Sequence, residues 1–234
     1  MSDRYILGAY WSPRAESLEQ CSDRLRSFLS DLAIVDESLS QWLKATPSSR
    51  KSSEDRVDPR EKNSVAQLLE SGRNRENARN DVMEDLGFQV GLWNGRNSDD
   101  RASMSVRCGL SWQSSKPNVS VGNCVIVDLP KILVPPASEQ KMTRALAAAA
   151  QAWKPDWAGV MSESSMLARN FDAEVPFVDW MVFVPRKVGQ LLGSCRLIEL
   201  SAGGSIVIVP RSALSAQFES DAQIRSRVET ALLG

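Results

Sequence analysis

The stretch from Trp153 to Pro210 constrains the fold most, because its short apolar runs fit a sheet and little else. Its first run is Trp157–Ser162 and its second is Val178–Val184. The second run is apolar on both predicted faces: Val178, Trp180, Val182 and Val184 against Met181 and Phe183. A strand of this kind must be covered on both sides. We therefore expect this block in the middle of a sheet, with helices or loops over it.

Apolar periodicity predicts further strands and helices on both sides of this block. They are a strand at Tyr5–Trp11, an amphipathic helix over Leu18–Leu32, a helical stretch from Val65, strands at Phe88–Trp93, Ser103–Trp112 and Val119–Leu129, a helix from a cap at Ser138 to Trp153, a hairpin of Arg196–Leu200 and Ser205–Val209, and a closing helix from about Ser220. Because strands and helices come in clusters without regular alternation, we predict an α+β fold, a mostly antiparallel sheet with helices on its faces. Nothing repeats, so residues 1–234 are expected to form a single domain, in which Thr46–Lys62 is a polar surface loop.

Net charge and cysteine usage narrow the classes of function. The formal net charge of -1 argues against a general nucleic-acid binder, because such proteins show a basic face. The four cysteines lie far apart, so we expect reduced, buried thiols, although Cys108 and Cys124 could face each other on neighbouring strands. The apolar run at Tyr5–Trp11 is too short for a signal peptide or a membrane span, which predicts a cytoplasmic protein with no membrane partner.

The chain contains no histidine, which removes Ser-His-Asp and Cys-His catalysis and most zinc sites. Asp128, Glu139 and Lys141 have the Asp…Glu-x-Lys spacing of restriction-endonuclease-type nucleases, in which two acids hold a divalent metal and a lysine assists the attacking water. In those enzymes the Glu-x-Lys lies on a strand, whereas here it opens a helix, where the helix dipole explains Glu139. A metal-dependent nuclease is therefore the alternative. We favour a protein that is not an enzyme and needs no cofactor or metal.

Aromatic and acidic residues outside the apolar patterns predict a binding surface. Trp93 falls out of phase with the apolar face of its strand, beside an acidic loop, which is typical of an interface hot spot. Packing under the Thr46–Lys62 loop is the competing explanation for Trp93. A second acidic cluster, Glu163 with Asp172 and Glu174, flanks a loop between two central strands, and an ordinary solvated loop is the competing explanation there.

The order of short motifs along the chain is itself informative. Tyr10-Trp11 precedes a helix, LGFQVGLWNG (Leu86–Gly95) follows a paired helical stretch, Asp156-Trp157-Ala158 opens a strand, and VDWMVFV (Val178–Val184) precedes a glycine-containing hairpin and a final helix. In this order, over about Tyr5 to Leu233, they resemble the immunity protein 52 family of bacterial toxin–immunity systems. The chain departs from the family in having Asp179-Trp180 where Gly-Trp is usual, and in lacking a histidine that is common in the C-terminal region.

The resemblance implies an α+β protein that binds and neutralises a cognate polymorphic toxin, usually a nuclease with a restriction-endonuclease-like domain that a system such as type VI secretion delivers. It implies stoichiometric protein–protein inhibition inside the cytoplasm, without direct nucleic-acid contact. Since a nuclease active site is basic, we expect partner contacts from an aromatic anchor and from acids: Trp93, Asp99, Asp100, Glu163, Asp172 and Glu174. Binding away from the toxin's active site stays open as a second mode, and an adaptor that self-associates through a sheet edge stays open as a weaker alternative.

Overall fold

Ten antiparallel strands form one sheet in the computed structural model, which describes residues 3–45, 56–76, 81–113, 122–135, 138–189, 195–210 and 221–233. The strands are β1 (Tyr5–Trp11), β2 (Trp42–Lys44), β3 (Arg56–Val57), β4 (Phe88–Trp93), β5 (Ser103–Cys108), β6 (Asn123–Asp128), β7 (Trp157–Ser162), β8 (Met181–Val184), β9 (Arg196–Glu199) and β10 (Ser205–Ile208). Their order across the sheet is β3-β2-β4-β5-β6-β1-β7-β8-β10-β9. The predicted α+β class is confirmed.

The centre of the sheet is β1, which pairs along its length with β6 on one side and β7 on the other. Both β1 and β7 are apolar on both faces, and every residue of β7 is buried. A strand of this composition needs a ladder on each edge and cover on each face. The N-terminal strand and the first apolar run of the 153–210 block therefore meet, although about 150 residues separate them in the sequence.

In the described part of the chain, three helices cover the first face of the sheet: α1 (Leu18–Val35), α2 (Lys62–Ser71) and α3 (Glu139–Trp153). Their apolar stripes pack on alternate residues of the strands, such as Leu7, Val106 and Val125, to form the larger core. A capping box starts α1, since the Ser17 hydroxyl accepts from the Gln20 amide and the Gln20 side chain accepts from the Ser17 amide. The helix thus begins at Leu18, five residues after the Ser12-Pro13 pair.

The second face carries a smaller core and two helices, α4 (Glu163–Ala168) and α5 (Asp221–Leu233). Ile224, Val228 and Leu232 of α5 pack with residues of β8 and β10. On β4, β5 and β6 the same face is only half-buried or exposed in the described part of the chain: Gln89, Gly91, Ser105, Arg107, Cys124 and Ile126. One half of the second face is therefore covered and the other half is open.

Two details of the central block differ from the prediction. Trp180 lies in the larger core with Met181 and Phe183. Regular alternation begins only at Met181, the first residue of β8, so the adjacent side chains of Trp180 and Met181 both enter that core. The Tyr5 ring meets the Trp180 ring edge-to-face at 6.0 Å. The hairpin of β9 and β10 forms as predicted, but it lies at the edge of the sheet, where β9 is the last strand.

The region between β2 and β4 also differs in part. Residues 46–55 of the predicted surface loop lie outside the described residues, while Arg56–Val57 pairs with β2 and Lys62 begins α2. The second piece of the paired helical stretch that is expected before Leu86 is, in the described residues, a single 3-10 turn at Glu84–Leu86. Residues 77–80 lie outside the described part of the chain.

Cys108 and Cys124 do not face each other. In the β5–β6 register, Cys124 stands opposite Arg107, and Cys124 lies on the second face while Cys108 lies in the first core. A hydrogen bond with the Cys21 thiol, together with burial, raises the pKa of the Cys108 thiol. All four cysteines are free thiols. Among the described helices, none combines the length and the apolar character that crossing a bilayer requires.

The buried carboxylate of Asp179 links α5 to the strands on the covered half of the second face. The Asp179 side chain is 0% exposed, and its Oδ2 accepts from the Ser162 amide at 2.8 Å. Its Oδ1 accepts from Arg225 Nη1 of α5 at 3.0 Å. These contacts of Asp179 tie α5 to the end of β7 and the start of β8.

We expect Arg225→Ala to destabilise the protein, because it removes the Arg225 cation that pairs with the buried Asp179 carboxylate. The Arg225 side chain is 25% exposed, so we place the loss near the lower end, about 3 kcal/mol, of the range for breaking a buried pair. Urea denaturation would measure it, with exposed Ser226→Ala on the same helix as the control. Equal unfolding free energies for the two variants would show that this ion pair does not hold α5.

Candidate partner-binding groove

A groove of about 810 Å³ lies where the open half of the second face meets the covered half. Its floor is formed by β1 and β6, and its far wall is the segment 166–174, which runs from α4 into the following loop. The apolar side chains that line it include Ile6, Tyr10, Cys124, Ile126, Met166 and Phe171. A concave site of this size with an apolar floor is typical of sites that bind a ligand or a short segment of a partner.

The Tyr10 ring forms one wall of the groove because a glycine leaves room for it. Gly8 and Gly159 are paired across β1 and β7, and a Cβ at Gly8 would lie 2.4–2.7 Å from the Tyr10 ring and hydroxyl. The ring stacks on Trp157 with centroids 4.6 Å apart. Phe171 packs against both rings, at 5.6 and 6.1 Å. The absence of a side chain at Gly8 thus leaves the space in which these three aromatic rings pack together.

The far wall is held in place by hydrogen bonds from two buried or half-buried side chains. Trp157 Nε1 donates to the Ala173 carbonyl at 2.7 Å. Arg169 donates to the Val178 carbonyl at 2.6 Å and to Glu229 Oε1 of α5 at 2.9 Å. The loop that carries the rim of the groove is therefore fixed before any partner arrives, which lowers the entropic cost of binding.

The Tyr10 hydroxyl has no hydrogen-bond partner among the described residues, although the residue is only 6% exposed. Burial, and after it the neighbouring Cys124, raises the pKa of Tyr10, so the phenol stays protonated at neutral pH. An unsatisfied buried hydroxyl costs about 1–3 kcal/mol. The Tyr10 hydroxyl at the wall of the groove can therefore donate a hydrogen bond to a ligand or accept one from it.

The rim of the groove is acidic. Asp156 is oriented by Ser12, whose amide and hydroxyl donate to the same carboxylate oxygen at 2.7 and 2.6 Å. Asp172 accepts from the amide of Glu174 at 2.9 Å, and neither side chain forms an ion pair with a described residue. Arg107 is the one basic side chain among the described residues that line the groove. The local charge of the rim is thus more negative than that of the chain as a whole.

The structure divides the six predicted contact residues between the two ends of the strands. Asp172 and Glu174 line the groove. The other four lie at the opposite end, which we call the loop end: Trp93, Asp99, Asp100 and Glu163. Trp93 is half-buried on the second face of β4, in register with Leu43 and Ser103, so its predicted position out of phase with the apolar face is correct.

Two of the three predicted acids at the loop end form ion pairs within the chain, while Asp100 forms none with a described residue. Lys131 Nζ lies 2.6 Å from Asp99 Oδ1, and Arg4 lies 3.9 Å from Glu163. All four side chains are more than half exposed, so each pair contributes only about 0–1 kcal/mol. A partner at this end would compete with these local cations, whereas at the groove rim Asp172 and Glu174 are paired with no described cation.

The residues of the nuclease alternative do not come together. Asp128 accepts a hydrogen bond from the Ser103 hydroxyl on the second face of the sheet. Glu139 and Lys141 begin α3 on the first face, where Glu139 lies 2.6 Å from Arg196 and Lys141 lies 2.6 Å from Asp36. In the described ranges, no three histidine, cysteine or acidic side chains are grouped to hold a metal ion.

The groove floor is not predicted from the sequence, in which Tyr5–Trp11 is expected only as a strand and Cys124 as a buried thiol. A usable signal exists: Cys124 and Ile126 alternate with the core residues Val125 and Val127, so β6 is apolar on its second face as well. An apolar second face without a covering helix is unusual for a solvated sheet. Recognising it requires knowing which strands the later helices cover.

We expect Gly8→Ala to remodel the groove wall and to destabilise the fold. The new Cβ would displace the Tyr10 ring from Trp157, at about 1–3 kcal/mol for such overpacking. Urea denaturation and the near-ultraviolet circular dichroism of the stacked rings would report the change. Gly189→Ala is the control, since its Cβ would meet nothing within 4 Å. A Gly8→Ala protein with the stability and aromatic spectrum of the control would contradict this packing.

Comparison with known proteins bears on the whole chain. No curated protein matches the sequence. The Pseudomonas aeruginosa T6SS protein PA0821 has a similar fold, with a TM-score of 0.54 and 13% identity, over 98% of this chain and 72% of that chain. The model of the family described as Immunity protein 52 matches residues 3–229. The resemblance drawn from the order of the short motifs is therefore confirmed: this chain belongs to the immunity protein 52 family.

Proposed function

We propose that this protein neutralises a cognate antibacterial toxin by binding it stoichiometrically in the cytoplasm of the cell that makes both. The family match over residues 3–229 is the observation that carries the proposal. The similarity of fold to a T6SS protein supports a toxin delivered by type VI secretion. An immunity protein acts by occupying its target, so it needs a complementary surface and no reactive groups of its own.

The described surface suits this role. The groove has an apolar floor, an acidic rim and a wall fixed by hydrogen bonds from Trp157 and Arg169. Apolar anchors surrounded by charges of one sign give an interface affinity and selectivity together. A fixed surface also suits a protein that must capture its toxin quickly, because no loop has to be ordered first.

We propose a nuclease as the toxin, in keeping with the family resemblance. Nucleases bind a polyanion through Lys and Arg, so their active sites are basic and attract acidic side chains. Asp156, Asp172 and Glu174 at the groove, with Asp99 and Asp100 at the loop end, are the exposed acids available for such contacts. Inhibition by covering the active site and inhibition by contact beside it both follow from such a surface.

Co-expression tests the proposal directly. The protein encoded by the neighbouring gene should be toxic when expressed alone in the cytoplasm, and co-expression of this chain should restore growth. A catalytically inactive form of the toxin should co-purify with it as a 1:1 complex, measured by light scattering. A member of the same immunity family that is encoded beside a different toxin is the control, and it should not protect.

Two results would contradict the proposal. One is growth arrest that this chain does not relieve, with no complex between the purified proteins. The other is nuclease activity of the isolated chain in magnesium or manganese that Lys141→Ala abolishes, since that would revive the catalytic alternative. We expect the Lys141→Ala chain to protect cells as the unmodified chain does, because Lys141 pairs with Asp36 on the far face.

A further inference from the structure

We propose that the groove of β1, β6 and segment 166–174 is where the toxin binds, and that its occupant is a basic segment of the toxin that places an apolar side chain on the groove floor. This inference rests on the proposed function, which names the toxin as partner but does not locate it. It assigns the main contact to the groove and a lesser one to the loop end, where four of the six predicted contact residues lie.

The charge of the rim selects the sign of the occupant. Asp156, Asp172 and Glu174 line one groove together with a single described base, Arg107. Asp172 and Glu174 form no ion pair with a described residue, so a lysine or arginine of the partner would not have to displace a described cation from them. At the loop end, Asp99 and Glu163 are already paired with Lys131 and Arg4, which leaves Asp100 as the one predicted acid there without an ion pair to a described residue.

The floor and rim select an apolar anchor beside that cation. Cys124 and Ile126 of β6 are half-buried at the floor, and Met166 stands opposite on the wall. Next to Met166, the Leu167 side chain is 76% exposed, and Val175 beyond the far wall is 43% exposed. Large apolar side chains so exposed around a concave site are typical of protein interfaces.

The Tyr10 hydroxyl is a second, independent indication of a ligand. It is buried at the groove wall, without a hydrogen-bond partner in the described chain. The ring cannot turn inward, because Gly8 lies directly beneath it and Trp157 is stacked against it. A backbone amide or carbonyl of a toxin segment lying along the floor would form a hydrogen bond with this hydroxyl. That hydrogen bond would fix how deep in the groove the segment lies.

Charge reversal at two matched positions tests the location. Asp172→Lys with Glu174→Lys alters the groove rim, and Asp99→Lys with Asp100→Lys makes the same change in net charge at the loop end; all four residues are exposed. Affinity for the inactive toxin encoded by the neighbouring gene is measured by calorimetry. We expect at least about a 30-fold loss for the groove variant, which is a hot-spot effect, and less than about a 10-fold loss for the loop-end variant.

An apolar pair tests the anchor in the same way. Leu167→Glu changes the exposed apolar residue next to Met166 in the sequence, and Ile34→Glu changes a residue of α1 that is 78% exposed, close to the 76% of Leu167. Both variants should fold, as circular dichroism and urea denaturation will verify. We expect Leu167→Glu to weaken toxin binding at least about 10-fold and Ile34→Glu to leave it unchanged within about 2-fold.

Alkylation of Cys124 gives a readout that needs no substitution. A maleimide should label this half-buried thiol of the free protein, and bound toxin should slow the labelling at least about 10-fold, since the occupant covers the floor. Mass spectrometry reads Cys195 in the same sample as the internal reference. Cys124 labelled at the same rate in the free and bound protein would overturn the proposal, even if the toxin binds.

The outcomes separate the two levels of inference. If the unmodified chain neither binds the toxin nor protects against it, the proposed function falls, and the groove assignment falls with it. If the unmodified chain binds and protects, but the loop-end reversal costs more affinity than the groove reversal, only the groove assignment is overturned. A larger loss at the groove, with Cys124 protected, supports both.

Discussion

The pairing of β1 with β6 and β7 is the contact on which the rest of the molecule depends. It joins the N-terminal strand to two strands that begin more than a hundred residues later, so that β1 lies inside the sheet and connects its two parts. The same pairing sets which side chains face which way. Leu7 and Ala9 enter the core under α1 and α3, while Gly8 and Tyr10 face the other side and create the groove. Fold and candidate binding site therefore share one strand.

The uneven cover of the second face explains why a binding site lies where it does. α4 and α5 lie over the covered half of that face, and α5 is held there by the buried Asp179–Arg225 pair. Among the residues that the structure describes, this cover stops beside β1, leaving an apolar surface between a packed region and an open part of the sheet. Such a surface is costly in water unless something binds to it. In the binding mode that we propose, the toxin would supply the missing cover.

Periodicity in the sequence was enough to predict the elements of the fold and too local to predict their arrangement. Leu18–Leu32 and the strands at Phe88 and Ser103 were predicted from spacing alone, since each buries one face. The same reasoning placed Trp180 on the wrong face, because a break in alternation at Met181 leaves no mark in the pattern. It also left open that Cys108 and Cys124 face each other, which only the register of β5 and β6 could decide.

The candidate site was predicted in part for the same physical reason. Asp172 and Glu174 are acids in a loop, which composition reveals, and they do line the groove. Tyr10, Cys124 and Ile126 were not found, because a floor made from strands distant in sequence exists only after pairing. Hydrogen–deuterium exchange on the complex with inactive toxin tests the central claim most directly. We predict slowed exchange in residues 122–128 and 166–174. Slowed exchange confined to residues 94–101, with the groove unchanged, would contradict it.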